Sequence, residues 1–193
     1  EPTLEQVEAL RAELRRLRPD WVAAVGGGSV VDLAKAAAGL RDAPAAAADY
    51  QAGAPIPPAV TPFIAVPTTA GTGSEATVVA VLTDTRVNLK RSIRHPSFMP
   101  RLVLLDPTLL HDCPRPVLAA SGMDALTQAY ESYVSRHATP FTRALSELAL
   151  QAIATSLPAM YDGDRAAAGP LLQGSYLAGL ALSHARLGIV HGL

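Results

Sequence analysis

The chain has 193 residues, and its 16 lysines and arginines against 17 aspartates and glutamates leave a formal net charge of −1. With 49% hydrophobic and 17% charged residues it is too apolar to be disordered, and it lacks the basic surplus of proteins that bind nucleic acid or anionic membranes. Its single cysteine, Cys113, cannot form an internal disulfide, and no apolar run is long enough to span a membrane. We therefore expect a globular protein of the cytoplasm, with no nucleic-acid or membrane partner.

The first elements follow the pattern of an α/β sheet. Thr3 and Gln6 have the spacing of a helix-capping box, and apolar residues then recur at helical spacing as far as Leu17. The apolar run at 21–25 predicts a buried parallel strand, and residues 30–40 predict a helix after a glycine-rich turn. A strand, a tight turn and a helix in succession are typical of a doubly wound sheet.

The middle of the chain adds further strands. Residues 41–60 are rich in alanine and proline, and they predict a surface connection with one short helix near 45–50. Strands are predicted next at 63–66, at 77–83 with a hairpin partner at 88–93, and at 102–105.

The character of the chain changes after about residue 112, where the strand signals end. Helical patterns follow at 115–135, 140–157, 165–182 and 183–193. We therefore predict an α/β part over residues 1–110 and an all-α part over residues 111–193.

A triple-glycine turn follows the first predicted strand. Gly26, Gly27, Gly28 and Ser29 lead into a helix whose first N–H groups and positive dipole end suit a phosphate. The turn is either a pyrophosphate cradle or an ordinary tight connection. The GxGxxG dinucleotide fingerprint is only partly met, because Val31 stands where its last glycine would be.

A second polar loop, residues 68–74, has the sequence TTAGTGS, with four hydroxyl side chains and two glycines in seven positions. Backbone N–H groups and hydroxyls in such a loop bind anions together, and the loop has almost nothing apolar to bury. A polar loop without a ligand is the alternative. Both loops follow the carboxyl ends of predicted strands, where α/β sheets bind ligands, so together they favour a nucleotide.

Two pairs of polar residues in the helical part suggest a metal site. Asp124 and Gln128 are four residues apart and share a helix face, and His184 and His191, seven apart, share one if that segment is helical. Carboxylate, imidazole and carbonyl groups together hold divalent cations. The alternative is a histidine that is hydrogen-bonded in the core.

Four motifs in this order resemble the iron-containing (group III) alcohol dehydrogenases. They are GGGSVVDLAK at 26–35, PTTAGTGSE at 67–75, SGMDALT at 121–127 and GIVHGL at 188–193. The second is the most specific, and the resemblance covers essentially the whole chain. It implies a nucleotide-binding α/β domain with a partial Rossmann-like parallel sheet, followed by an all-α domain, in the dehydroquinate-synthase-like architecture.

The resemblance also implies an activity, namely NAD(P)-dependent interconversion of a small alcohol and an aldehyde or ketone by hydride transfer, assisted by a metal. Family members are longer at both ends and are expected to form homo-oligomers. We therefore expect an internal fragment, with both domains incomplete and little activity of its own. Processing or tag removal is the alternative explanation for a chain that starts at Glu1.

Site residues follow from the resemblance position by position. The implied NAD(P) contacts are Gly27, Gly28, Ser29, Asp32, Thr68, Thr69, Thr72 and Lys90. Asp124 and His191 match metal ligands, whereas Gln128 stands where the family has a histidine ligand, and the last ligand lies beyond Leu193. An amide oxygen is a poorer ligand for Fe²⁺ or Zn²⁺ than an imidazole nitrogen, so we expect a weakened metal site or none.

The sequence leaves several alternatives open. It does not distinguish NAD from NADP or identify the alcohol. One rival is a lyase or polyol dehydrogenase of the same fold with a different metal set. Another is a nucleotide-binding or assembly module that has lost the iron site through Gln128.

Overall fold

The computed structural model describes residues 1–59 and 61–192. Val60, in the predicted surface connection, and Leu193, in the last predicted helix, lie outside the described residues. The chain divides into two compact units, Glu1–Val66 with Val78–Leu104, and Pro67–Thr77 with Leu105–Leu193. Within the described ranges no helix is long and apolar enough to cross a membrane.

The first unit is α/β. Its helices and strands are α1 (Leu4–Leu17), β1 (Val22–Gly26), α2 (Gly28–Gly39), α3 (Ala47–Gln51), β2 (Phe63–Pro67), β3 (Val79–Asp84), β4 (Leu89–Arg94) and β5 (Leu102–Val103). The strands in the described part form a sheet in the order β1-β2-β5 and a separate β3-β4 pair. β2 runs parallel to β5 with Ile64 opposite Leu102, and β3 runs antiparallel to β4. The predicted strands and hairpin are confirmed, although the last strand is only two residues long. The prediction that the strands at 21–25 and 102–105 are buried is wrong, because Val25 of β1 and Leu102 of β5 are exposed.

α1 and α2 are held by their sequence and by a buried core. Thr3 and Gln6 form the predicted capping box, and Arg18 ends α1 with a left-handed backbone at φ 49°. One face of each helix then packs against β3 and β4 in an apolar cluster that includes Leu4, Val7, Ala36, Leu40, Leu82, Ile93 and Phe98.

Arg11 lies on the same face of α1 as the buried apolar residues, and its side chain is almost fully buried. Its guanidinium donates to the carbonyl oxygens of Leu40 at 2.9 Å, Ala43 at 2.8 Å and Ala45 at 3.1 Å. It also pairs with Glu8 at 2.6 Å. This one side chain therefore ties α1 to the turn that follows α2.

The second unit is helical. Its α-helices are α4 (Arg115–Val134), α5 (Pro140–Tyr161), α6 (Ala168–Ala185) and α7 (Ile189–Gly192). It also contains 3₁₀ turns at Ser74–Ala76, Pro107–Leu110 and Arg165–Ala167. The three long helices surround a core that includes Leu118, Ala125, Ala129, Ile153, Leu171, Leu172 and Ala178. The fold-class prediction of an α/β part with a parallel sheet and an all-α part is thus confirmed.

Two helix boundaries in this unit differ from the prediction. α5 continues past Pro158 to Tyr161, because a proline in the last turn removes only one intrahelical hydrogen bond. α6 ends at Ala185, where Arg186 takes a left-handed φ of 65°. The predicted single helix over 183–193 is therefore interrupted at residues 186–188: residues 183–185 end α6 and residues 189–192 form α7. His184 and His191 thus lie on different helices and do not share a helix face.

The boundary between the two units also differs from the prediction, which placed it between residues 110 and 111. Residues 105–110 belong with the helices, and so does the loop 67–77, which interrupts the α/β unit in sequence. The loop joins the helical unit because its glycines pack directly against helix backbone.

Candidate active site

The triple-glycine turn forms the amino end of α2. Gly27 is the N-cap residue in an extended conformation, and its carbonyl oxygen accepts from Val30 N at 2.9 Å and Val31 N at 3.1 Å. A side chain at Gly26 would lie 2.6 Å from Val30 Cβ, so the turn admits only glycine there without rearrangement. Ser29 is exposed in the first turn. No side chain caps the start of the helix, so its first N–H groups have no side-chain acceptor. This is consistent with the predicted anion cradle, which stays a prediction.

Asp32 and Lys35 are both buried on α2 and attach it to β3. Asp32 Oδ2 accepts from Val81 N at 2.9 Å, and Lys35 Nζ donates to Val79 O at 2.7 Å. Their charged groups are 3.9 Å apart. The carboxylate of Asp32 therefore takes part in the fold itself, and its predicted place beside the cofactor stays a prediction.

The loop 67–77 is built on the helical unit by two close approaches. Gly73 has φ 60°, and a Cβ there would lie 2.6 Å from the Cα of Gly179 on α6. A Cβ on Gly71 would lie 2.6 Å from Ser121 Cβ on α4. The Ser183 hydroxyl donates to Ala76 O at 2.7 Å. Packing thus explains both glycines of the loop.

Packing does not explain the hydroxyl groups of Thr68, Thr69 and Thr72. Thr68 and Thr69 are half-buried and Thr72 is exposed, and Ser74 N donates to Thr72 Oγ1 at 3.3 Å. The loop therefore leaves three threonine hydroxyls accessible, and anion-binding loops combine such groups with backbone N–H donors. The predicted cofactor contacts in this loop stay predictions.

Lys90 lies on β4 opposite Thr83 and is largely exposed. Its Nζ is 2.6 Å from Glu1 Oε1, and this hydrogen bond lowers the pKa of Glu1. An exposed pair of this kind contributes little to stability. The predicted cofactor contact of Lys90 is likewise untested.

The structure brings Asp124, Gln128 and His191 together. His191 Nε2 lies 3.0 Å from Asp124 Oδ1, and Gln128 Nε2 donates to Asp124 Oδ2 at 3.0 Å. Gln128 is buried, and its Oε1 is fully buried with no hydrogen-bond partner within the described residues. Two side chains, Gln128 from α4 and His191 from α7, therefore converge on the Asp124 carboxylate.

Glu131, which the sequence analysis did not single out, completes this group. It is buried on α4, one helical turn beyond Gln128. Its Oε2 lies 2.6 Å from His191 Nδ1, and its Oε1 accepts from Val190 N at 2.7 Å. Glu131 could have been predicted from the sequence, because it follows Asp124 by seven residues and so lies on the same face of the helix.

These contacts shift two pKa values. Burial disfavours the charged imidazolium, but the hydrogen bonds to Glu131 and Asp124 outweigh it and raise the pKa of His191. Burial likewise pushes the pKa of Glu131 upward, but the hydrogen bonds from His191 and from the backbone of Val190 and Gly188 outweigh it and lower that pKa. The ionised carboxylate of Glu131 beside the imidazole is thus the favoured state.

Comparison with known proteins identifies the family. Residues 1–107 match the family model described as iron-containing alcohol dehydrogenase, and residues 118–193 match the model of its C-terminal domain. The chain belongs to the iron-containing alcohol dehydrogenase family. The resemblance stated from the sequence motifs is confirmed.

Several relatives are similar along the whole chain. The probable alcohol dehydrogenase EutG of Escherichia coli K12 is 42% identical over 196 residues, which cover 100% of this chain and 49% of that protein. The 1-propanol dehydrogenase PduQ of Citrobacter freundii is 40% identical over 195 residues, covering 100% and 50%. The chain therefore spans about half the length of the curated relatives it matches.

Solved structures of this family superpose closely. Sulfoacetaldehyde reductase from Bifidobacterium kashiwanohense, in complex with NAD⁺, has a TM-score of 0.93 at 33% identity, over 96% of this chain and 50% of that one. The iron-containing alcohol dehydrogenase of Thermotoga maritima has a TM-score of 0.91 at 32% identity, over 98% and 52%.

The side chains of Asp124, Gln128 and His191 are of types that can hold a divalent cation. Within the described ranges no group of three or more His, Cys, Asp and Glu side chains is placed to hold a metal ion, and position 128 carries glutamine. A half-turn of the Gln128 amide exchanges Nε2 with the unpartnered Oε1. Asp124 and Gln128 would then present oxygens and His191 a nitrogen, a set that binds divalent metals less tightly than one with two imidazoles.

Proposed function

We propose that the complete gene product is an NAD(P)-dependent oxidoreductase that interconverts a small alcohol and an aldehyde or ketone by hydride transfer. The observation that carries the proposal is the convergence of Gln128 and His191 on the Asp124 carboxylate, in a chain of the iron-containing alcohol dehydrogenase family. Relatives named 1-propanol dehydrogenase and lactaldehyde reductase support a small alcohol or aldehyde as substrate.

The chain's own residues have two tasks in this proposal. Asp124, Gln128 and His191 hold a divalent cation, Fe²⁺ or Zn²⁺, which supplies a Lewis acid for the substrate oxygen when bound. The amino end of α2, with Gly27, Gly28 and Ser29, holds the cofactor diphosphate through backbone N–H groups. The hydroxyls of Thr68, Thr69 and Thr72 add donors for the cofactor. That the gene product is a cytoplasmic homo-oligomer stays a prediction.

Cofactor binding and turnover test this function directly. NADH and NADPH are titrated separately into the complete gene product and followed by fluorescence, and short aldehydes are then screened at saturating cofactor. We expect one cofactor to bind and its absorbance to fall with at least one aldehyde. A gene product that binds neither cofactor is not a dehydrogenase.

Gln128→His is expected to strengthen metal binding. Replacing the amide by an imidazole should tighten Zn²⁺ binding at least about tenfold, which corresponds to about 1.4 kcal/mol. The measurement is competition with a chromophoric chelator, with Gln151→His as the control, because Gln151 is exposed on α5 and the change adds a histidine away from the site. Equal affinity of Gln128→His and the wild-type protein would show that residue 128 is not a ligand.

A second candidate function is a nucleotide-binding module without catalysis. The observation that favours it is the Gln128 amide itself, whose N–H and not its oxygen faces Asp124 and occupies that carboxylate. This candidate predicts that the gene product binds NADH without turnover and that added Fe²⁺ or Zn²⁺ does not rescue it. Turnover that rises with added metal excludes it.

A further inference from the structure

The segment 185–191 is attached along one face of α4 by a series of side-chain hydrogen bonds. The Ser135 hydroxyl donates to Ala185 O at 2.6 Å, and the Ser132 hydroxyl donates to Arg186 O at 3.4 Å. Nearer the middle of α4, Glu131 accepts from Val190 N at 2.7 Å. The segment therefore follows the helix from its carboxyl end back toward Asp124, and His191 arrives last.

Glu131 differs from the two serines because it contacts the imidazole itself. One carboxylate oxygen binds the backbone of the segment and the other lies 2.6 Å from His191 Nδ1. Gly188 makes this approach possible, since a Cβ there would lie 2.7 Å from Glu131 Oε1. Glu131 is also among the most buried charged residues, with 5% of its surface exposed. The carboxylate is thus held by the backbone of the segment as well as by the imidazole.

An imidazole has two nitrogens, and only the one without a proton can bind a cation. A carboxylate accepts hydrogen bonds and donates none, so its contact with Nδ1 requires the proton on that nitrogen. Nε2 also faces a carboxylate oxygen, Asp124 Oδ1 at 3.0 Å, so the charged ring donates to both groups. When the ring is neutral, the shorter contact, 2.6 Å to Glu131, keeps the proton on Nδ1 and leaves the lone pair on Nε2. Carboxylates that hold ligating histidines in this way tune metal affinity.

We propose that Glu131 is a positioning residue: it holds the proton of the neutral His191 ring on Nδ1 and so leaves the Nε2 lone pair available to a cation bound by Asp124. The effect on metal binding rests on the function proposed above, whereas the effect on the imidazole does not. Ser132 and Ser135 only attach the segment to α4.

Glu131→Gln tests the assignment because it preserves the shape of the side chain. The amide oxygen can still accept from Val190 N, and the amide nitrogen then faces Nδ1 as a donor, so the ring proton must move to Nε2. We expect the His191 tautomer to change from Nδ1–H to Nε2–H and the Zn²⁺ affinity to fall by about 10- to 100-fold.

The tautomer is read in the metal-free complete gene product from ¹⁵N chemical shifts of the ring nitrogens, at alkaline pH where imidazole is neutral. The His191 signals are assigned by their loss in His191→Asn. Zn²⁺ affinity is measured separately by chelator competition. Ser135→Ala is the matched control, because it removes a bond of the same segment and should lower the unfolding midpoint without changing the tautomer or the Zn²⁺ affinity.

Gly188→Ala is the second variant, and it covers the case in which Glu131→Gln does not fold. It leaves both charges in place and pushes the carboxylate away from the ring, so it should also weaken Zn²⁺ binding. Retention of Nδ1–H and of wild-type Zn²⁺ affinity in Glu131→Gln would overturn the assignment. If wild-type protein binds no Zn²⁺ but Glu131→Gln still changes the tautomer, the positioning role stands and the metal-assisted function does not.

Discussion

Gly73→Ala is expected to destabilise the helical unit by about 3 kcal/mol or more, from two separate causes. The backbone of Gly73 has φ 60°, a conformation that costs an L-residue roughly 1–2 kcal/mol. A Cβ there would also lie 2.6 Å from the Cα of Gly179. Because that neighbour is helix backbone and not a flexible side chain, the loop 67–77 must move away from α6.

Gly163→Ala separates these two causes. Gly163 has φ 103°, but a Cβ there would meet nothing within 4 Å. It therefore carries the backbone strain alone, and we expect about 1–2 kcal/mol of destabilisation. Both variants are measured by urea denaturation of the complete gene product. Equal destabilisation by the two changes would show that the approach of the loop to α6 is not tight.

The same pair of variants tests whether the loop 67–77 contributes to cofactor binding. If the threonines of residues 68–72 bind the cofactor, displacing the loop in Gly73→Ala should weaken NADH or NADPH binding measured by fluorescence under native conditions. Gly163→Ala leaves the loop in place and should bind as the wild type does. Unchanged cofactor binding in a Gly73→Ala protein that is clearly destabilised would argue against this loop as part of the cofactor site.

Arg11→Met is expected to destabilise the α/β unit by about 3 kcal/mol. The guanidinium is buried and donates to three backbone carbonyl oxygens, and hydrogen bonds from charged groups contribute about 1.5–3 kcal/mol each. The losses do not add in full, because the Ala43 oxygen also accepts from Arg15 at 3.0 Å. Methionine keeps the helix propensity and much of the volume, so the change isolates the polar contacts.

Arg16→Met is the matched control for this prediction. Arg16 lies on the same helix and pairs with a glutamate three residues earlier, as Arg11 does, at 2.7 Å from Glu13. Both of its charged groups are more than half exposed, so the loss should be below about 0.5 kcal/mol. Urea denaturation again measures the difference. A similar small effect for Arg11→Met would mean that the buried carbonyl contacts are not needed.

The candidate site was predictable where the signal is local in the chain. Asp124 and Gln128 are four residues apart on a predicted helix, so their shared face follows from helix geometry alone. The resemblance implied that His191 meets Asp124, because it makes both of them metal ligands, whereas spacing could not show this, since 67 residues separate them. Spacing even favoured the wrong partner, because it assumed one helix through His184 and His191. The left-handed turn at Arg186 ends that helix.

The glycines of the loop 67–77 show why the sequence alone could not establish what that loop does. The sequence predicted an anion-binding loop from TTAGTGS, and anion binding requires glycines and hydroxyls together. The structure gives Gly71 and Gly73 a different requirement, which is contact with Ser121 and Gly179. A glycine needed for a ligand and a glycine needed for helix packing look the same in a sequence.

The sequence by itself determined the order of strands and helices, the change from α/β to all-α and the family. These depend on hydrophobic period, capping and turn residues, which act between near neighbours in the chain. Only the tertiary structure decided that Arg11, on an apolar face, binds carbonyl oxygens, that the loop 67–77 belongs with the helices, and that Glu131 holds His191. Each of these depends on groups that are distant in the chain, and packing of the whole unit is what brings them within hydrogen-bond distance.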